Sequence, residues 1–458
     1  MTARSDRERG LRRNRLKSTS VTDMSVEPEN IVGTPPDEPP SEQEIAEIVH
    51  PRRSGLINVF RHRNYRLFFT GQLISLMGSW MQNTAQPWLV YSLTHSTVLL
   101  GVTSFCSTVP VFLMTPFGGM VADRVDRRRF LLFTQSAAMI QAAILATLTL
   151  TGVVRVWEII CLALAMGLIN SFDIPSRQSM TLDMVGRDDL RHAISLNSMM
   201  FNGARIIGPT IAGALIALVG EGICFALNAV SFAAVLVSLL MMKLAERPPR
   251  VNQNALRAVA DGYRYSIASP QIRISLLLVA VSSMFGAAYV TMMPAVARDL
   301  IHGNSTTQGT LMSAAGAGAL IGAYLLSRIT ERQLVYAPVL ASFCFGLGLI
   351  LFSHSHLLWL SAFLLLPTSA SLMLLGGTTN TIIQIVAHEH YRGRVISHYT
   401  QSFMGMMPWG ALLLGTLASR VGVTDAISVG GLVVIASASF AFYYRRATGF
   451  TIQHAPAE

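Results

Sequence analysis

From Leu67 onward the chain is a succession of apolar runs, each long enough to cross the ~30 Å hydrocarbon core of a bilayer. They lie at about 67–93, 97–121, 130–151, 156–178, 193–219, 222–243, 272–298, 308–327, 334–353, 357–386, 395–419 and 424–444. Hydrocarbon offers the backbone no hydrogen-bond partners, so runs of this length must close their own bonds as helices. The expectation is an all-α membrane protein with twelve transmembrane helices. A break at 244–270 separates six runs from six, and it reads as a linker carrying a short amphipathic helix. Charged residues are 13% of the 458, about half the usual ~25% of soluble domains, and mean hydropathy is +0.46.

The formal net charge of +10 could point to a polyanionic partner, so the position of the basic residues decides the matter. They alternate between loops. One side holds Arg124 and Arg127 to Arg129, then Arg177, Arg187 and Arg191, then Lys243 to Arg264, Arg328 and Arg332, Arg392 and Arg394, and Arg445 and Arg446. The other side holds Arg155, Arg298 and Arg420. This alternation follows the rule that basic loops stay in the cytoplasm, and it predicts both termini inside. Lipid is therefore the expected partner, and no nucleic acid is needed to account for the charge. Residues 1–60 are polar and Pro-rich and read as a disordered cytoplasmic tail without a cleavable signal; residues 447–458 read as a second tail. Cys106, Cys161, Cys224 and Cys344 are scattered through apolar runs and read as small core residues.

Both halves carry the same marks at a near-constant offset. Gly118, Asp123-Arg124 and Arg128 are echoed by Gly322, Ser327-Arg328 and Arg332; Pro87 is echoed by Pro294, and Pro209 by Pro408. Three ordered pairs predict two pseudo-symmetric six-helix bundles, 61–243 and 271–446, of the kind transporters build from repeats.

The loop after the second helix reads Gly-Gly-Met-Val-Ala-Asp-Arg-Val-Asp-Arg-Arg-Arg from Gly118. Glycines here allow two helix ends to approach, and an aspartate at a helix end can latch onto a neighbouring helix N-terminus or an arginine. Residues 119–128 resemble motif A of the major facilitator superfamily, with Gly119, Asp123, Arg124, Arg127 and Arg128 as its gating residues and Asp126 where that motif has glycine. The fifth helix carries Asn-Gly-Ala-Arg-Ile-Ile-Gly-Pro-Thr-Ile-Ala-Gly from Asn202. Gly203, Gly208, Pro209 and Gly213 resemble the superfamily's antiporter motif, against the plainer reading of a kinked packing helix. The stretch 172–180, Asn197-Ser198, and Arg392 and Arg394 opening the eleventh helix resemble the same branch, that of the enterobactin exporter and the macrolide efflux pumps. The resemblance spans about 58–445. It implies two bundles around a central cavity opened alternately to each side, export of small amphipathic molecules, proton coupling, a bacterial inner-membrane location, a monomer and no cofactor.

Some residues stand out for their depth. Arg205 is expected ~18 Å from the inner end of its helix, near the bilayer middle, where a charge is costly and commonly faces a cavity. Asp173 lies towards the inner end of the fourth helix as a gate residue or a proton site. Gln82, Asn83, Gln86, Asn170, Tyr289, Asn380 and Gln384 are candidates for lining a cavity, with hydrogen bonding between packed helices as the alternative for each. No phosphate loop or catalytic constellation is visible, which favours a secondary transporter over an enzyme or a receptor. An importer of a small metabolite with the same fold stays open.

Overall fold

The computed structural model describes residues 56–186, 188–242 and 264–448, with the side chains of 115–124 and 390 left aside. The tail to residue 55, the expected amphipathic helix of the linker and the segment after 448 lie outside the described residues. Each of the twelve apolar runs is helical. The helices are α1 (Arg63–Thr94), α2 (Thr97–Arg124), α3 (Arg127–Leu150), α4 (Val156–Val185), α5 (Leu190–Val219) and α6 (Glu221–Met241), then α7 (Pro270–Leu300), α8 (Ser305–Leu326), α9 (Ala337–Ser353) and α10 (Leu358–Val386). Then come α11 (Glu389–Met404), α12 (Met407–Val421) and α13 (Val423–Ala447). Among the described residues nine of these are long and apolar enough to cross a membrane, while α9 has only 17 residues.

Three details differ from the sequence expectation. Packing begins before residue 61, because a 3-10 turn at Leu56–Arg61 buries Val59 completely. The eleventh apolar run is two helices: Gly405 closes α11 and Pro408, at the first turn of α12, opens the next. Its counterpart Pro209 lies inside a continuous α5. The cysteines also divide, since Cys224 is buried whereas Cys161 and Cys344 lie exposed on the outer surface.

The packing repeats with the sequence. α2 packs on α4 as α8 packs on α10, and α3 packs on α6 as α9 packs on α13. The halves meet along two seams, α5 against α8 and α2 against α12. Both are lined by glycine, because helices without apolar solvent exclusion to drive them together gain most from close backbone approach. A Cβ on Gly213 would lie 2.7 Å from the Ser305 carbonyl oxygen, and one on Gly309 would collide with the Pro209 carbonyl. On the other seam a Cβ on Gly101 would sit 2.5 Å from the Ala411 carbonyl, and one on Gly415 would sit 2.5 Å from that of Thr97. Within the first half, Gly208 receives Trp80 of α1 in the same way. Gly203 does not belong with these residues: a Cβ there meets nothing within 4 Å.

The two kinds of glycine should separate in a stability measurement. Gly309→Ala is expected to destabilise by about 1–3 kcal/mol through overpacking against backbone. Gly203→Ala should be neutral or stabilising by up to ~1 kcal/mol, since it improves helix propensity without a clash. Thermal unfolding in detergent reads both; equal effects would mean that the seam is not close-packed.

Candidate functional site

Call the end where α1 starts and α13 stops the near end, and the opposite end the far end. At the near end, Asp126 caps α3 by accepting the Arg129 backbone N–H at 3.0 Å, a standard use of aspartate at a helix start. The departure from the motif's glycine thus has a structural purpose here. Arg127 donates to Asp183 of α4 at 2.8 Å. Arg128 forks onto the last turn of α6, donating to the Leu239 and Leu240 carbonyl oxygens at 2.7 and 2.8 Å, where helix-end carbonyls lack internal partners. The loop therefore ties α3, α4 and α6 together. Side chains of Gly119, Asp123 and Arg124 lie outside the described residues.

Asp173 is 1% exposed, and both its carboxylate oxygens are engaged. Oδ1 accepts from Thr134 Oγ1 at 2.8 Å and from Gln135 Nε2 at 2.7 Å, both on α3, while Oδ2 pairs with Arg177 one turn on. A carboxylate in a low-dielectric interior persists only when paired and hydrogen-bonded in this way. Asp173 is also not alone on its helix, because α4 runs on to Val185 and carries Asp183.

Two of the candidate cavity residues, Gln82 and Tyr289, are buried and bonded to neighbouring helices. Gln82 is buried between α1, α3 and α6, where it donates to Gln141 Oε1 at 3.2 Å and accepts from Asn228 Nδ2 at 2.7 Å. Tyr289 is 2% exposed, packed on Phe345 and Phe352, with its hydroxyl 3.1 Å from that of Ser369. Gln384 donates to Asn380 one turn earlier on α10 at 3.2 Å. Asn83 is exposed, and Gln86 and Asn170 are half-buried. On α11, Arg392 is exposed, and Arg394 lies over the Tyr391 ring at 5.4 Å. Arg445, expected as a surface anchor, is buried and donates to the Val335 carbonyl and, at 3.3 Å, to Ser275 Oγ.

Between the halves, every hydrogen bond among the described residues lies from mid-depth to the far end. Ser313 donates to the Ile206 carbonyl at 2.6 Å, Gln308 to that of Thr84 at 3.0 Å and Thr97 to that of Gly415 at 2.9 Å. Ser305 donates to the Gly213 carbonyl at 3.0 Å and Thr291 to Ser104 Oγ at 3.3 Å. The Tyr91 hydroxyl of α1 donates to the Asp299 carboxylate at the end of α7. Sequence reasoning missed this last joint, since the two residues stand 208 positions apart and no motif links them. The described halves are thus pinned at the far end, and Arg205 lies midway along α5, next to the Ile206 carbonyl of the seam.

Repeated helix pairs and two glycine seams between halves, with the hydrogen bonds among the described residues of those seams placed from mid-depth to the far end, define a membrane transporter of the major facilitator fold. The family model described as "transmembrane secretion effector" matches residues 54–453, and the chain belongs to that family. It is 28% identical over 386 residues to the staphyloferrin A transporter of Staphylococcus aureus, covering 83% of this chain and 95% of that one. It is 26% identical to the enterobactin exporter EntS of Shigella boydii over 83% of this chain and 92% of that one. The fold is similar to that of a bacterial homologue of the human lysosomal transporter Spinster in an inward-facing, unoccupied state (TM-score 0.69, 13% identity, 87% of this chain and 99% of that one). It is also similar to a bacterial homologue of ferroportin in an inward-facing state (TM-score 0.64, 16% identity, 84% and 98%).

Breaking the Asp173 cluster should show its dependence on pairing. Asp173→Asn is expected to destabilise by about 3–5 kcal/mol by leaving Arg177 buried without its counter-charge, and Asp173→Asn with Arg177→Gln should recover much of that loss. Thermal unfolding of the two proteins checks it; equal midpoints would show that the pair is not coupled.

Proposed function

We propose that the protein exports a small siderophore-type or drug-type amphipathic molecule across the bacterial inner membrane by alternating access, as a monomer driven by proton antiport. The observation that carries the mechanism is the placement of the bonds between halves: they join the far end down to mid-depth, as a transporter open at the near end requires. Basic loops at the near end support reading that end as cytoplasmic, with both termini inside. The two relatives transport, in one case export, iron-chelating siderophores, which supports the cargo class and, for the second, the direction. In this reading the Tyr91–Asp299 joint is the far gate, and the motif loop at α3 braces the near end, with Asp123 and Arg124 as its latch when that end closes.

The test is accumulation of fluorescent dyes, macrolides and catecholate siderophores in cells with and without the protein, before and after a protonophore. Lower accumulation with the protein, abolished by the protonophore, is expected. Accumulation raised by the protein would establish import, and export insensitive to the protonophore would remove the proton.

A further inference from the structure

Arg205 sits at residue sixteen of the thirty in α5 and so at mid-depth, where an ionised group is expensive to keep. Its direction follows from its neighbours on the helix. At 100° per residue, Gly208 lies about 60° to one side of Arg205 and Gly213 about 80° to the other; the first packs on Trp80 of α1 and the second on the start of α8 in the opposite half. The lipid-facing stripe is behind it, with Ile207 51% and Leu218 80% exposed. Arg205 therefore points between α1 and α8, into the space where the halves meet, and Tyr289 of α7 lies within electrostatic reach.

Among the described residues Arg205 has no counter-charge. Among the described residues its guanidinium makes no hydrogen bond or ion pair, unlike Arg127, Arg128, Arg177 and Arg445, each of which is engaged. One turn towards the near end on the same face of α5, Phe201 meets Trp80 edge-on at 5.6 Å and stays 47% exposed. The seam thus holds an unpaired, planar cation beside a partly open aromatic pair.

We propose that Arg205 is the anion-binding centre of the cargo site, its fork taking a pair of anionic oxygens such as a carboxylate while Trp80 and Phe201 hold the apolar or aromatic body of the same molecule. A guanidinium matches paired oxygens bidentately, and the contact strengthens away from water. The absence of a protein counter-charge leaves that role to the cargo. This rests on the transporter reading but on neither its direction nor its coupling.

The test is binding by the full-length protein in detergent, read by quenching of tryptophan fluorescence, with 2,3-dihydroxybenzoate and citrate as acids and methyl 2,3-dihydroxybenzoate as the uncharged match. The acids should bind saturably, and the ester about tenfold more weakly or worse. Arg205→Lys should keep part of the preference, and Arg205→Gln should lose it while leaving ester binding unchanged. The ligand-free Arg205→Gln protein should unfold at the same or a higher temperature, because a charge awaiting its partner is removed, whereas a structural arginine would lower the midpoint. Equal acid binding by Arg205→Gln, no preference for acid over ester, absence of saturable acid binding, or a lowered midpoint restored by Arg205→Lys would each overturn the proposal. Failure of energised export in cells with acid binding intact would overturn only the direction or the coupling.

Discussion

The close approach of helix backbones at the two seams is the contact on which the rest of the molecule depends. In lipid there is little apolar gain in bringing two greasy helices together, so association must come from packing and from hydrogen bonds made at short range. Gly213, Gly309 and Gly316 on one seam and Gly101 and Gly415 on the other bring carbonyl groups of the opposing helix within reach of the Ser305, Ser313 and Thr97 hydroxyls. Pro209 adds to this. Lacking an N–H, it releases the Arg205 carbonyl, and Gly316 lets α8 come up against that position. The same turn of α5 that is loosened by proline thus carries the mid-depth cation.

Charge at the near end is organised around helix termini. Asp126 begins α3, Arg128 ends α6, Arg127 ties α3 to α4, and Arg445 closes onto Val335 at the end of the short turn that precedes α9. A basic loop selected for topology is here also a set of caps. Each orphan carbonyl or amide at a helix end would otherwise turn to water, so these side chains hold the termini in one arrangement.

The spans, the division into halves and the repeat were legible because the length of an apolar run and the position of basic loops are one-dimensional quantities. Contacts were less so. Nothing in the spacing of Gln82 says that it meets Asn228, 146 residues away, rather than a cavity. Arg445 looks like its neighbour Arg446 in sequence, and only the rotation of α13 buries it. The split between α11 and α12 was hidden because Met406 and Met407 keep the run apolar across the break. Arg205 was legible as a mid-depth charge, but its direction required knowing which faces of α5 the glycines give to α1 and to α8.

The shortness of α9 has a consequence for the surrounding lipid. At 1.5 Å per residue its 17 residues span about 26 Å, against about 48 Å for the 32 residues of α1. Its outward residues Leu340, Phe343, Leu347 and Leu351 are exposed, so this short flank faces the acyl chains directly. A wall of this length matches a thinner band of hydrocarbon than its longer neighbours do, and each ångström of mismatch along that flank costs fractions of a kcal/mol.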